Sequence, residues 1–342
     1  MKLPIGPFLL WFALLAFSPI DSTANTYLNS QKIDILIEGQ RLLFNDRFST
    51  VDSLYDVYIS NYPGDPAGYL FKAAALMGEM TDREENLYPD LFKTLLDSVE
   101  ALIARQLDSC SSETSAWMYL YSGHARAYRS LWESRFGSFF SAVKHGFAAR
   151  SEYDKGLKAD STRYDLYLGL GSYHYWKSAK GGLLRFFRIL KNEKDKGVRE
   201  LHLAEDSSLL SQELARSALI WVWLDKKEYD SVISIASEFV RKYPDGKSFL
   251  WPLATACYKD KNYARALETY QKLRERIETA PGNLYNLIEC DYYLCQCLEK
   301  LGRKNDARKQ ARKFEEYHDS ISKNIRKRQR RNIAYIRRLA GR

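Results

Sequence analysis

Two stretches of the chain carry one apolar pattern at a fixed offset. Leu219, Ile220 and Trp223 stand 34 residues before Leu253, Ala254 and Cys257. The same offset carries Val232 onto Ala266, Ala236 onto Tyr270 and Phe239 onto Leu273. In each copy the apolar positions fall on two segments at helical spacing. A polar turn separates the segments, Lys226–Asp230 in the first copy and Lys259–Tyr263 in the second. Tyr243-Pro244-Asp245-Gly246 closes the first copy, because Pro and Gly end helices. A period of this length with two amphipathic segments per unit predicts a helix–turn–helix repeat.

Further units follow along the chain. Gly39, Leu42, Val51, Tyr55, Tyr58 and Pro63 take the eighth, eleventh, twentieth, twenty-fourth, twenty-seventh and thirty-second places of a unit over Ile35–Pro63. Ala73, Ala74 and Met77 mark the next first helix, and the charged connector Thr81–Pro89 delays its partner, Leu91–Leu107. A long pair, Ala116–Trp132 and Phe139–Leu157, comes next. Tyr164–Trp176 and Lys194–Glu205 form a unit split by an insertion at Ala179–Asn192. The last unit has Leu294, Cys295 and Leu298, then the turn Leu301-Gly302-Arg303, then Ala307, Ala311 and Phe314. Small or apolar residues at the eighth, twentieth and twenty-seventh places let paired helices approach closely, and bulkier ones at the eleventh and twenty-fourth fill the gap between units.

In this pattern the chain resembles the tetratricopeptide (TPR) repeat proteins. The resemblance implies an all-α, right-handed α-solenoid of about seven helix–turn–helix repeats with a C-terminal capping helix. The expected divisions are a signal segment at 1–24, irregular repeats at 31–210, regular repeats at 211–318 and a basic capping helix at 319–342. It also implies a concave face, lined by the first helix of each unit, where TPR proteins usually hold peptides. Matched place by place, the groove positions are Trp221, Trp251, Tyr258 and Tyr292, with Tyr175 and Trp176 from the split unit. The Lys/Arg cluster that captures a C-terminal carboxylate in chaperone-binding TPR domains is absent from these places.

Charge changes the picture at one end only. The formal net charge is +9, yet residues 303–342 alone hold 15 Lys+Arg against four Asp+Glu. The body is therefore slightly acidic and the basicity belongs to the tail. Arg326, Lys327, Arg328, Arg330 and Arg331 concentrate it, and such a cluster suits anionic lipid headgroups or acidic polymers. The same charge would suit nucleic acid, but the N-terminus argues for export. Lys2, the apolar run Phe8–Phe17 and the small residues Ser22-Thr23-Ala24 read as a secretory signal, which places the expected product in a periplasm or cell envelope. The apolar run is short for a membrane span.

Little in the chain points to catalysis. His124, His145, His174, His202 and His318 lack metal-ligand spacing, and there is no nucleophile elbow or phosphate-cradling glycine loop. No cofactor or metal site is expected. The five cysteines are too sparse for a disulfide framework and read as small buried hydrophobes, with one bridge, Cys257 to Cys290, as the alternative in an oxidising compartment. The insertion Gly181–Leu190 places Leu183, Phe186, Phe187 and Leu190 on one helical side beside two arginines. The expectation is an exported, non-enzymatic scaffold that binds a protein or peptide partner in its aromatic groove. Its alternative is a peripheral binder of anionic membrane lipid or envelope glycan, using the tail and residues 183–190.

Overall fold

The structure, a computed structural model, describes residues 27–180, 191–279 and 282–341. The signal segment and the insertion's apolar side lie outside them. Among the described residues seven helix pairs follow one another: α1 (Ser30–Phe44) and α2 (Phe48–Asn61), α3 (Pro66–Arg83) and α4 (Pro89–Gln106), α5 (Ser112–Phe136) and α6 (Phe139–Ala159), α7 (Leu166–Lys180) and α8 (Lys194–Ser207), α9 (Gln212–Lys226) and α10 (Tyr229–Lys242), α11 (Leu250–Lys259) and α12 (Tyr263–Glu278), α13 (Leu284–Lys300) and α14 (Lys304–Arg312). Two 3-10 turns then lead to α15 (Lys323–Arg328) and α16 (Arg330–Ala340). Each helix packs on its partner and on the first helix of the next pair, so the chain is an all-α solenoid.

The turns explain where the pairs reverse. Asp46, Lys227, Lys261 and Gly302 each take a left-handed conformation, with φ of 56°, 64°, 65° and 74°, just after the first helix of a pair. This ends the helix and leaves too few residues for anything but a tight reversal. At the opposite ends, Asn29, Asp65 and Ser111 accept hydrogen bonds from the first-turn amides of α1, α3 and α5. Pro66 opens α3, where its missing N–H costs nothing.

The repeated contact positions act as expected. Val232 and Ala266 at the twentieth place and Ala236 and Tyr270 at the twenty-fourth are fully buried, and Gly171 and Gly197 let α7 and α8 meet backbone to backbone. A β-carbon on Gly197 would lie 2.6 Å from the Tyr175 nitrogen and 2.7 Å from the Gly171 oxygen. All five cysteines are free, and Cys257, Cys290, Cys295 and Cys297 are buried. The alternative of a Cys257–Cys290 bridge is thus not realised: Cys290 instead sets its sulfur 3.1 Å from the Tyr270 carbonyl. Burial pushes the Cys295 and Cys297 thiols up to about 12, which keeps them unreactive.

One feature of the fold has no counterpart in the repeat pattern. The solenoid closes on itself, edge against edge. Phe44, at the end of α1, sits among Phe239, Tyr243 and Phe249 at ring-centroid distances of 6.0, 5.0 and 5.1 Å. Burying such a ring is worth on the order of 2 kcal/mol. Lys247 lies between Asp46 at 2.8 Å and Asp82 at 3.3 Å, and Arg47 pairs with Asp245 at 2.6 Å. Asn283 and Asn286 donate to the Asp82 carbonyl at the end of α3. The first two pairs therefore rest on the loops that precede α11 and α13.

Candidate partner-binding face

The residues expected to meet a partner lie on the first helix of each regular pair. On α9, Ile220 and Val222 are fully buried, and Trp221 between them is 46% exposed. On α11, Trp251 is half-buried and stands T-shaped to the Tyr270 ring, 6.3 Å away. Tyr258, one helical turn before the α11–α12 reversal, donates its hydroxyl to Gln296 Oε1 at 2.8 Å. Gln296 in turn donates from Nε2 to the Tyr292 hydroxyl at 3.0 Å. Burial pushes the Tyr258 phenol up to about 12, so it stays a neutral donor.

These bonds join two of the sequence-predicted groove residues through a third that sequence reasoning missed. Gln296 follows Tyr292 by four residues on α13, and that same-face spacing was the available signal. Tyr292 also meets Tyr335 of α16 edge to face at 5.0 Å, and Tyr335 donates to the Glu299 carboxylate. The capping helix thus ends the aromatic row.

The split unit is different. Tyr175 has no exposed surface, and its hydroxyl donates to the Asp225 carboxylate at 2.8 Å. It belongs to the core between α7 and α9 and offers a partner nothing. Trp176 is half-buried and packs edge to face on Tyr175 at 5.2 Å.

The basic tail divides as well. Arg326 donates to the carbonyls of Ile321 and His318, which holds the 3-10 turns against α15. Arg328 lies over the Tyr285 ring at 4.2 Å and pairs with the Glu84 carboxylate at 2.5 Å, 244 residues away in sequence. Both arginines, expected to face an anionic surface, are engaged by the fold, although the Arg328 side chain stays 34% exposed. Lys327, Arg330 and Arg331 are exposed.

Titratable groups elsewhere serve packing. His174 Nδ1 and Glu200 lie 2.6 Å apart, both buried between α7 and α8, with Lys196 3.3 Å from the other ring nitrogen. His124 is held against the Tyr153 hydroxyl at 2.8 Å, and burial lowers its pKa to about 4. Among the described residues no group of His, Cys, Asp and Glu is placed to hold a metal ion. Nor is any helix among them long and apolar enough to cross a membrane.

Comparison with solved structures agrees with this geometry. A chain of the APC/C hetero-tetramer Cut9–Hcn1 aligns over 90% of this chain at 12% identity, with a TM-score of 0.54. The fold is that of the tetratricopeptide-repeat solenoids. This chain spans about half of that relative's length, covering 50% of it. The C-terminal part of a TPR repeat-containing protein from Cytophaga hutchinsonii aligns over 85% of this chain and 97% of its own at 15% identity (TM-score 0.43). Yeast Tom70 aligns over 94% of this chain and 66% of its own, also at 15% identity (TM-score 0.40). No family model matches the sequence. No curated protein matches it either.

Proposed function

We propose that this TPR solenoid is a non-enzymatic scaffold that holds a protein or peptide segment along its inner face, with Trp221, Trp251, Tyr258 and Tyr292 as the contacts. The observation that carries this reading is Trp221. It projects at 46% exposure from a helix whose adjacent residues are fully buried, so the fold gains little from a tryptophan there. Exposed Trp and Tyr side chains bury much area at small entropic cost, which is why they dominate binding surfaces. The Tyr258–Gln296–Tyr292 chain fixes two further rings in advance of binding.

Export to a periplasm or cell envelope belongs to the same proposal and rests on Lys2, Phe8–Phe17 and Ser22–Ala24. The test is capture from envelope extract with protein beginning at Asn25, beside Trp221→Ala/Trp251→Ala. A species recovered by the first and lost from the second, at equal thermal midpoint, supports the groove. Equal recovery with both, abolished by salt, would move the site to Lys327, Arg330 and Arg331.

A further inference from the structure

The last layer of the solenoid is an amphipathic helix whose outer side carries charge of one sign. Gln329 joins α15 to α16 without interrupting the helical bonding. Its amide donates to the Ile325 carbonyl at 2.8 Å, and its carbonyl accepts from the Ile333 amide at 3.0 Å. Ile325, Gln329 and Ile336 are buried on one side. Lys323, Lys327, Arg330, Arg331, Arg337 and Arg338 recur on the opposite side at helical spacing, and all six are exposed. At 1.5 Å per residue this stripe runs for about 22 Å.

The stripe differs from the other exposed helix faces of the chain. Those set opposite charges four residues apart, as in Glu79 with Arg83, Arg150 with Asp154 and Glu268 with Lys272. Here the same spacing sets Lys323, Lys327 and Arg331 against one another, which is repulsive. Residues 320–342 hold no Asp or Glu. Arg330 and Arg331 also open α16, whose N-terminus already carries partial positive charge. Among the described residues no carboxylate pairs with any of the six, whereas their neighbour Arg328 reaches Glu84. Arg338 alone rests on a ring, that of Tyr335 at 5.7 Å. The fold is therefore opposed by these cations, and their placement answers to something outside it.

Charge and shape select what meets them. Six cations with no acid among them match a dense array of anions. α16 lies along α13 and α14, so it is half covered and cannot enter the groove of a duplex, which receives a whole helix. No ring stands free beside the cations to stack a base, since Tyr335 turns to Tyr292 and Glu299. The apolar side is occupied by the packing of Ile325 and Ile336, which leaves nothing to insert among acyl chains. A flat layer of phosphates requires neither a free helix nor a free ring. We infer that the outer side of α15–α16 is an electrostatic docking surface for the phosphate plane of an anionic bilayer, on which it lies without inserting. The export proposed above brings the chain to such a surface.

This inference does not depend on the aromatic groove. The experiment is co-sedimentation with vesicles of phosphatidylcholine, with and without phosphatidylglycerol, using protein that begins at Asn25 and so keeps every described residue. The expected result is binding to the anionic vesicles alone, lost at high salt. Each cation near an anionic leaflet raises affinity about fivefold, so Arg330→Gln/Arg331→Gln should weaken binding about 25-fold. The charge-matched pair Lys144→Gln/Lys158→Gln, on α6, should bind as wild type does, and so should Trp221→Ala/Trp251→Ala. The thermal midpoint of Arg330→Gln/Arg331→Gln should equal or exceed that of wild type, because both side chains are exposed at a helix N-terminus. Four results would overturn the inference: no binding to anionic vesicles, unchanged binding by the arginine pair, an equal loss in the lysine pair, or tighter binding of a DNA duplex or of polyglutamate than of the vesicles at the same charge concentration.

Discussion

Lys247 Nζ lies 2.8 Å from the Asp46 carboxylate, and the Lys247 amide donates to the same oxygen at 2.7 Å, across 201 residues of sequence. Asp82 approaches the ammonium from α3 at 3.3 Å, and the three side chains are only 5%, 7% and 12% exposed. Burial works to lower the lysine's pKa, but the two carboxylates outweigh it and raise it. Removing the ammonium leaves two buried carboxylates facing each other. Lys247→Met is expected to lower the unfolding free energy by about 3–5 kcal/mol, as read from urea titration. Small-angle scattering of the same variant should show a larger radius of gyration. An unchanged urea midpoint would mean the closure carries no weight.

The same cluster sets a pH dependence. Burial pushes the Asp82 carboxyl up to about 6, with Lys247 drawing it down and Asp46 pushing it further up. An unfolded aspartate titrates near 4. Between these values the folded chain holds the proton more tightly, so Asp82 adds stability in acid, and that addition is lost as the pH rises through about 6. His124 acts in the opposite sense, because its lowered pKa disfavours folding in acid. The Asp82 contribution is isolated by difference. Relative to wild type, Asp82→Asn should gain about 2–3 kcal/mol between pH 4 and pH 7.5. A constant difference across that range would refute the assignment.

Gly197 makes the closest backbone approach between α7 and α8. An added methyl meets main-chain atoms of Tyr175 and Gly171, which cannot rotate away. Gly197→Ala is expected to cost about 1–3 kcal/mol by overpacking. Gly64 has nothing within 4 Å of a built β-carbon, so Gly64→Ala should leave the thermal midpoint within a degree or two of wild type.

Arg328 joins the tail to the end of α3 through Glu84, while Arg331 is exposed. Arg328→Ala should speed amide exchange across residues 323–340 several-fold, and Arg331→Ala should leave it unchanged. Equal exchange in both variants would show that Glu84 does not anchor the tail.

Much of this architecture was legible from spacing alone. The 34-residue offset from Val232 to Ala266 reflects local packing that recurs in each unit, and the structure buries both residues fully. The charged connector expected at Thr81–Pro89 falls at the right junction but is shorter, since α3 runs on to Arg83 and α4 opens at Pro89. The closure was not legible. It depends on how far each pair rotates on the last, and no single unit encodes that sum. Arg328 therefore read as a free cation, although Glu84 receives it. Tyr175 failed for a related reason. Its place in the repeat matches an inner-face position, but the glycine contact of Gly171 and Gly197 draws α7 and α8 together, and Asp225 takes the hydroxyl inward.

An open solenoid grows by adding each repeat to the last, and its two ends never learn of one another. Here the first two pairs carry Phe44, Asp46, Asp82 and Glu84 on an edge whose partners are Phe249, Lys247 and Arg328. During synthesis the Asp46 and Asp82 carboxylates and the Phe44 ring stay in water until Lys247 and Phe249, some 165 to 205 positions later, have emerged and folded. Closure is then a late, long-range step with a large loop-entropy cost. Once made, it turns a string of semi-independent units into one cooperative body, in which damage to the tail is felt at the second repeat.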